Sequence, residues 1–325
     1  MRRPLWASVA GALALVALVP PAASASTSTQ NQAAAVRNDV EYGIANGKRL
    51  LLDAYVPAGG EDRRPAVVMI HGGGWRVGDK ASWADEAQRF VARGWVAFSI
   101  NYRLDEPSAF PAEIDDVQTA IRWVRAHAAE YRVDPTRVAA LGESAGGHLT
   151  AMLATLGSGA LAQDARIRVG AAWSPPLDLS ALARSRGDGW ANPLLGCTLA
   201  ACPDRFAQAS PVTHVDRTDA PLYLVNSTDE LVPLSQAEAM AERLKASGVD
   251  HRLDVLPGTR HALDFRADAW APTLAFLERH LVAPGATAPG EEPSSGSPVV
   301  FGAGAVAILA GAGALVRRRR RRPGP

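Results

Sequence analysis

Short, mostly apolar runs alternate with amphipathic helical stretches along most of this chain, and that alternation leaves few folds open. The runs lie at residues 66–70, 95–100, 138–141, 169–173 and 222–225. Each is short enough to be a strand buried on both faces. Between them, residues 112–127 carry Ile114, Val117, Ile121 and Val124 on one helical face. Residues 236–247 pair Met240 with Leu244, and Leu274, Leu277 and Leu281 form a further stripe. Strands alternating with helices predict an α/β fold whose mostly parallel sheet is covered on both faces. Ahead of them, residues 36–42 and 50–56 read as strands joined by Asn46-Gly47. That dipeptide predicts an N-terminal antiparallel hairpin. Residues 174–220 break the alternation with five prolines, both cysteines and Trp190. A connection of that length reads as a lid insertion over the site.

Four segments carry chemistry. Gly142-Glu143-Ser144-Ala145-Gly146-Gly147 lies between the apolar run at 138–141 and a helical stretch at 145–156. A serine on so tight a strand-to-helix turn projects its hydroxyl at a helix N-terminus. His71-Gly72-Gly73-Gly74-Trp75 follows the run at 66–70. Consecutive glycines let backbone N–H groups approach an oxyanion, and no Lys-Ser/Thr accompanies them to make a phosphate loop. Asn226-Ser227-Thr228-Asp229-Glu230 ends the run at 222–225, where an acid faces the ligand crevice. Gly258-Thr259-Arg260-His261 follows the predicted strand at 251–256. The order Ser144, Asp229, His261 predicts a nucleophile, an orienting acid and a base. Asp264 is a rival acid only three residues beyond the base; the strand-end position favours Asp229. His148 reads as packing and His71 as a support for the glycines. His214, His251 and His280 have no supporting motif. Glu143 suits tuning of the site or a structural hydrogen bond, and Trp75 and Trp190 suit an acyl pocket or plain burial.

The segments HGGGWRVGDK, INYRL, GESAGGH, DELVP and PGTRH stand in this order. From residue 36 to about 281 the chain resembles the carboxylesterase branch of the α/β-hydrolase superfamily. That branch joins hormone-sensitive-lipase-like esterases to bacterial feruloyl and acetyl-xylan esterases. The resemblance implies a triad of Ser144, Asp229 and His261, with backbone N–H groups of Gly73, Gly74 and Ala145 as the oxyanion hole. It implies hydrolysis of carboxylic esters, small or polysaccharide-linked, through an acyl-enzyme. An amide-cleaving relative, such as a formamidase or peptidase, has the same triad. A non-catalytic surface protein on this scaffold is a third reading, against which the serine, histidine and glycines all stand. No cofactor is expected. A metal site is not expected either, since neither H-E-x-x-H nor a clustered ligand set occurs.

The two ends read differently from the body. Arg2 and Arg3 precede an apolar stretch at 5–19, and Ala23-Ser24-Ala25 is a small-x-small cleavage site. Residues 1–25 therefore read as a signal peptide, with an uncleaved anchor as the alternative. Residues 26–35 read as a disordered leader and 36–282 as the catalytic domain, its lid at about 174–220. Residues 283–298, rich in Pro, Gly and Ser, read as a linker. Residues 299–316 hold no charge and lead into Arg317 to Arg322. Eighteen apolar residues just suffice to span a bilayer, and residues 317–325 would form a basic cytoplasmic tail. The chain is thus expected to be exported and anchored in the cell membrane, or else released or associated with the cell wall. The net charge is +1, but eight of the arginines lie at the two ends. The body between them is acidic, with no basic surface for nucleic acid. The only cysteines, Cys197 and Cys202, are expected to form a local disulfide in such a compartment.

Overall fold

The computed structural model describes residues 35–281 apart from 61 and 105–109. The chain divides into two compact units, Met1–Ala283 and Pro284–Pro325; the second lies wholly outside the described residues. The signal-peptide, leader, linker, membrane-segment and tail readings at 1–35 and 283–325 also fall outside them, except that Ala35, read as the end of the leader, begins the first strand. Among the described residues no helix is long and apolar enough to cross a membrane.

Eight strands form one sheet in the order β1-β2-β4-β3-β5-β6-β7-β8. β1 (Ala35–Ala45) and β2 (Lys48–Val56) are antiparallel, joined at Asn46 and Gly47, both with positive φ. That backbone is what a tight hairpin turn demands, and Asn-Gly supplies it. β2 also pairs antiparallel with β4 (Val96–Ile100). From β4 onward, β3 (Arg64–Ile70), β5 (Val133–Glu143), β6 (Val169–Trp173), β7 (Leu222–Ser227) and β8 (His251–Leu256) all run parallel. The sheet is that of an α/β-hydrolase.

Helices cover both faces: α1 (Ala84–Ala92), α2 (Ala112–Ala126), α3 (Ala145–Thr155), α7 (Leu234–Ser247) and α8 (Arg266–Leu281). The period of two along β3 explains why a wholly apolar strand is needed. Ala66, Val68 and Ile70 pack into one layer with Ile121 of α2 and Leu149 of α3. Val67 and Met69 point the other way, to Phe90 of α1 and Leu277 of α8. The excursion between β6 and β7 is largely helical, with α4 (Leu179–Arg186), α5 (Asn192–Leu195) and α6 (Pro203–Gln208). It is packed, not loose: Leu182, Leu194, Leu195 and Phe206 are fully buried in the core shared with β3 and α3. Cys197 and Cys202 within it are joined by a disulfide.

Candidate active site

The parallel strands end at one edge of the sheet, and the predicted segments converge there. β5 runs directly into Ser144 and α3. The turn is held by close packing at two glycines: a Cβ on Gly146 would lie 2.0 Å from the Ile70 carbonyl oxygen, and one on Gly142 would lie 2.2 Å from that of Gly146. Only glycine fits at either position. Ser144 itself adopts φ 51°, a conformation disfavoured for a residue with a Cβ and one that must be held by its surroundings. Its N–H donates to the Trp173 carbonyl at the end of β6, at 2.8 Å. The side chain then stands at the N-terminus of α3, where the helix dipole favours negative charge.

The structure brings Ser144 and His261 together. The Ser144 Oγ lies 3.0 Å from Nε2 of His261. The acid on the other ring nitrogen is Glu230 and not Asp229. His261 Nδ1 is hydrogen-bonded to Glu230 Oε2, and the Glu230 side chain is 0% exposed. The predicted acid is displaced by the turn that follows β7. Ser227 closes the strand, Thr228 and Asp229 lie on the solvent side, and Glu230 turns inward. The Asp229 N–H donates to the Gly258 carbonyl at 3.0 Å, and among the described residues its carboxylate accepts only the Thr228 hydroxyl, at 2.8 Å. Glu230 Oε1 accepts two bonds, from the Ser227 N–H at 2.9 Å and from the Ser174 hydroxyl at 2.8 Å. A buried carboxylate must be satisfied in this way, or its burial costs several kcal/mol. The rival Asp264 is exposed in the turn beyond His261 and makes no bond to the ring. With a carboxylate on Nδ1, that nitrogen carries the proton, and Nε2 is left to accept the Ser144 hydroxyl hydrogen.

The glycine loop sits across from this group. Gly73 has φ 101° and Gly74 φ 61°. The Gly73 carbonyl accepts the N–H groups of Arg76 and Val77, closing a turn so tight that a Cβ on Gly73 would meet the Val77 carbonyl oxygen at 2.0 Å. Among the described residues the N–H groups of Gly73 and Gly74 have no protein acceptor. Ala145 begins α3, so its N–H has no intrahelical partner either. Glu143, beside the serine, fixes the loop: its Oε1 accepts the Gly72 N–H at 2.5 Å. Burial pushes the Glu143 carboxyl up from its ordinary pKa, opposed by that N–H bond and by His261. His71 stacks on Tyr102 with ring centroids 4.5 Å apart, and the Tyr102 hydroxyl donates to the His71 carbonyl at 2.9 Å. His148 does more than pack. Its Nδ1 accepts the Trp75 indole N–H at 3.3 Å, and its Nε2 bonds the Ala209 carbonyl at 2.7 Å. It thereby ties the glycine loop, α3 and the excursion together. Burial depresses its pKa to about 4.

Outward from the glycines opens a cleft of about 660 Å³, lined by Gly73, Gly74, Arg76, Val77, Gly189, Trp190 and Pro193. The excursion thus supplies one wall and the glycine loop the other. Trp190 stands in this wall half-buried, whereas Trp75 is buried.

The BD-FAE family model matches residues 52–244. A probable carboxylic ester hydrolase of Mycobacterium tuberculosis, LipM, is 31% identical over 67% of this chain and 54% of its own length. Esterase LipQ of the same organism is 30% identical over 72% of this chain and 59% of its own. The chain therefore spans a little over half the length of these curated relatives. A thermophilic esterase from Thermogutta terrifontis, Est2, superposes with a TM-score of 0.64 at 27% identity, covering 79% of this chain and 96% of that one. With a matched segment that exceeds half of the sequence and holds the serine elbow and the glycine loop, the chain belongs to the BD-FAE family of α/β-hydrolase carboxylesterases.

Proposed function

We propose that this protein is a serine hydrolase of carboxylic esters, with Ser144 as nucleophile, His261 as general base and acid, and Glu230 as the orienting carboxylate. The observation that carries the reading is the unbroken chain of contacts from Ser144 Oγ to His261 Nε2 and from His261 Nδ1 to Glu230. Similarity to proteins named as ester hydrolases and esterases supports the same class.

In this reading His261 Nε2 takes the Ser144 proton as Oγ attacks the carbonyl carbon. The negative charge that forms on the carbonyl oxygen is met by N–H groups of Gly73, Gly74 and Ala145. Collapse of the tetrahedral intermediate breaks the bond to the alcohol, which leaves with the proton from His261. Water then attacks the acyl-enzyme, giving its proton to His261. The acid is released and Ser144 recovers its hydrogen. Glu230 holds the ring in place and stabilises the imidazolium. The wall of Trp190, Val77 and Pro193 suits an apolar or ring-shaped part of an ester, small or polysaccharide-linked. Export and retention by the segment at 299–316 belong to the same proposal; the disulfide supports it, because such bonds persist outside the cytoplasm.

The test is Ser144→Ala on p-nitrophenyl esters at matched thermal stability. Loss of a triad nucleophile typically leaves only about 10³–10⁴-fold catalysis over water. Retention of more than about a tenth of the wild-type kcat would place the nucleophile elsewhere.

A further inference from the structure

The residue after β6, Ser174, is fully buried and has φ 50°. It is not glycine, although that backbone would suit glycine better. Its hydroxyl makes two bonds. It donates to Glu230 Oε1 at 2.8 Å and accepts the Ala262 N–H at 2.9 Å. Ala262 directly follows His261, so one oxygen touches both the carboxylate and the backbone of the loop bearing the imidazole. The adjoining Trp173 carbonyl holds the Ser144 N–H at 2.8 Å, and the Ser174 N–H donates to Val225 of β7 at 2.7 Å. The end of β6 therefore touches the segments of all three reacting side chains.

We propose that Ser174 is a positioning residue, whose hydroxyl fixes Glu230 and the His261 loop relative to Ser144; this rests on the triad reading above. The carboxylate has two oxygens and two tasks. With Oε1 held by Ser174 and the Ser227 N–H, Oε2 is aimed at Nδ1 and cannot rotate away. The bond to Ala262 sets the height of the imidazole over the elbow. A hydroxyl is required because the site needs one donor and one acceptor on a single atom, and serine is the smallest side chain that carries both. Retention of a side chain in the left-handed region accords with that requirement.

The experiment compares Ser174→Ala and Ser174→Gly with Glu230→Gln and Ser144→Ala. Glycine removes the same oxygen and also relieves the backbone, so the pair of variants separates loss of the hydroxyl from backbone strain. Alanine deletes the oxygen without adding chain freedom. Both are expected to lower kcat about 10- to 100-fold, as removal of one hydrogen bond to a charged group does. KM is expected to stay within about twofold, because neither variant touches bound ester. Adding Ser174→Ala to Glu230→Gln is expected to cost less than about threefold more, since the hydroxyl acts through that carboxylate. Wild-type kcat in Ser174→Gly, or full additivity with Glu230→Gln, would overturn the assignment. Should Ser144→Ala remain active, the triad reading itself fails; should it be inert while Ser174→Gly is fully active, only the positioning role fails.

Discussion

Two neighbouring acids, Asp229 and Glu230, separate what a sequence can say from what only the backbone decides. Glu230 is expected to be the sensitive one. Glu230→Gln removes the charge that orients His261 and is predicted to lower kcat by on the order of 10²- to 10⁴-fold. Asp229→Asn leaves the His261 contacts untouched and is predicted to stay within about twofold of wild type. Steady-state kinetics on one ester decides this, and the reverse ranking would return the role to Asp229. The sequence showed an acid at the end of β7 because a strand end faces the crevice. It did not show which acid, since that depends on a two-residue turn. Thr228 and Asp229 take the outer side of the turn, and the Ser227 N–H collects the carboxylate of the third residue beyond. The signal that was present is the i to i+3 spacing from Ser227 to Glu230, a local side-chain-to-backbone turn. Ser174 carried no signal at all. Its partners, Glu230 and Ala262, lie 56 and 88 residues away.

At the scale of elements, helices with a long apolar stripe and the strands were legible, and short helices or those with few buried apolar residues were not. The predicted helix at 112–127 is α2, and the strand at 251–256 is β8. α1 escaped notice because Ala87 and Phe90 are its only fully buried apolar residues. α4, α5 and α6 are four to eight residues long, too short for a period to show. What fixes the site at this scale is the approach of α3 to the sheet. Gly146→Ala would drive a methyl into the Ile70 carbonyl, and strained overpacking of this kind costs about 3 kcal/mol or more. Thermal denaturation is expected to show that loss; an unshifted Tm would mean that the elbow yields easily. α3 also carries His148, whose pKa falls from its ordinary value to about 4 on burial. A histidine that is neutral when folded gives stability that is present above about pH 6.5 and lost as pH falls toward 4. Unfolding in denaturant at pH 7 and pH 4.5 is expected to show a smaller acid loss in His148→Gln, by about 2–3 kcal/mol. Equal losses in both proteins would assign the acid sensitivity to other groups.

The described molecule folds as one body, and its excursion is part of that body. Leu182, Leu194, Leu195 and Phe206 are as buried as any residue of β3, and they share its core. Hydrogen bonds run the same way. His148 reaches Ala209, and Gln236 of α7 accepts the N–H groups of Leu177 and Asp178 at 2.9 and 2.7 Å. A segment so tied loses its place only when the sheet does. The disulfide between Cys197 and Cys202 closes a short loop on this platform, and closure of a loop that short contributes about 2 kcal/mol. It touches neither Ser144 nor His261. The double variant Cys197→Ser/Cys202→Ser and the wild type are therefore each expected to unfold in a single transition, the variant several degrees lower. Its kcat on a small ester should stay within about threefold of wild type, since the triad contacts lie on other strands. Calorimetry together with an ester assay checks both halves. A second, low-temperature transition would show that the excursion melts on its own. A large fall in kcat in the folded variant would show that the staple sets the wall bearing Trp190, and with it the seat of the substrate.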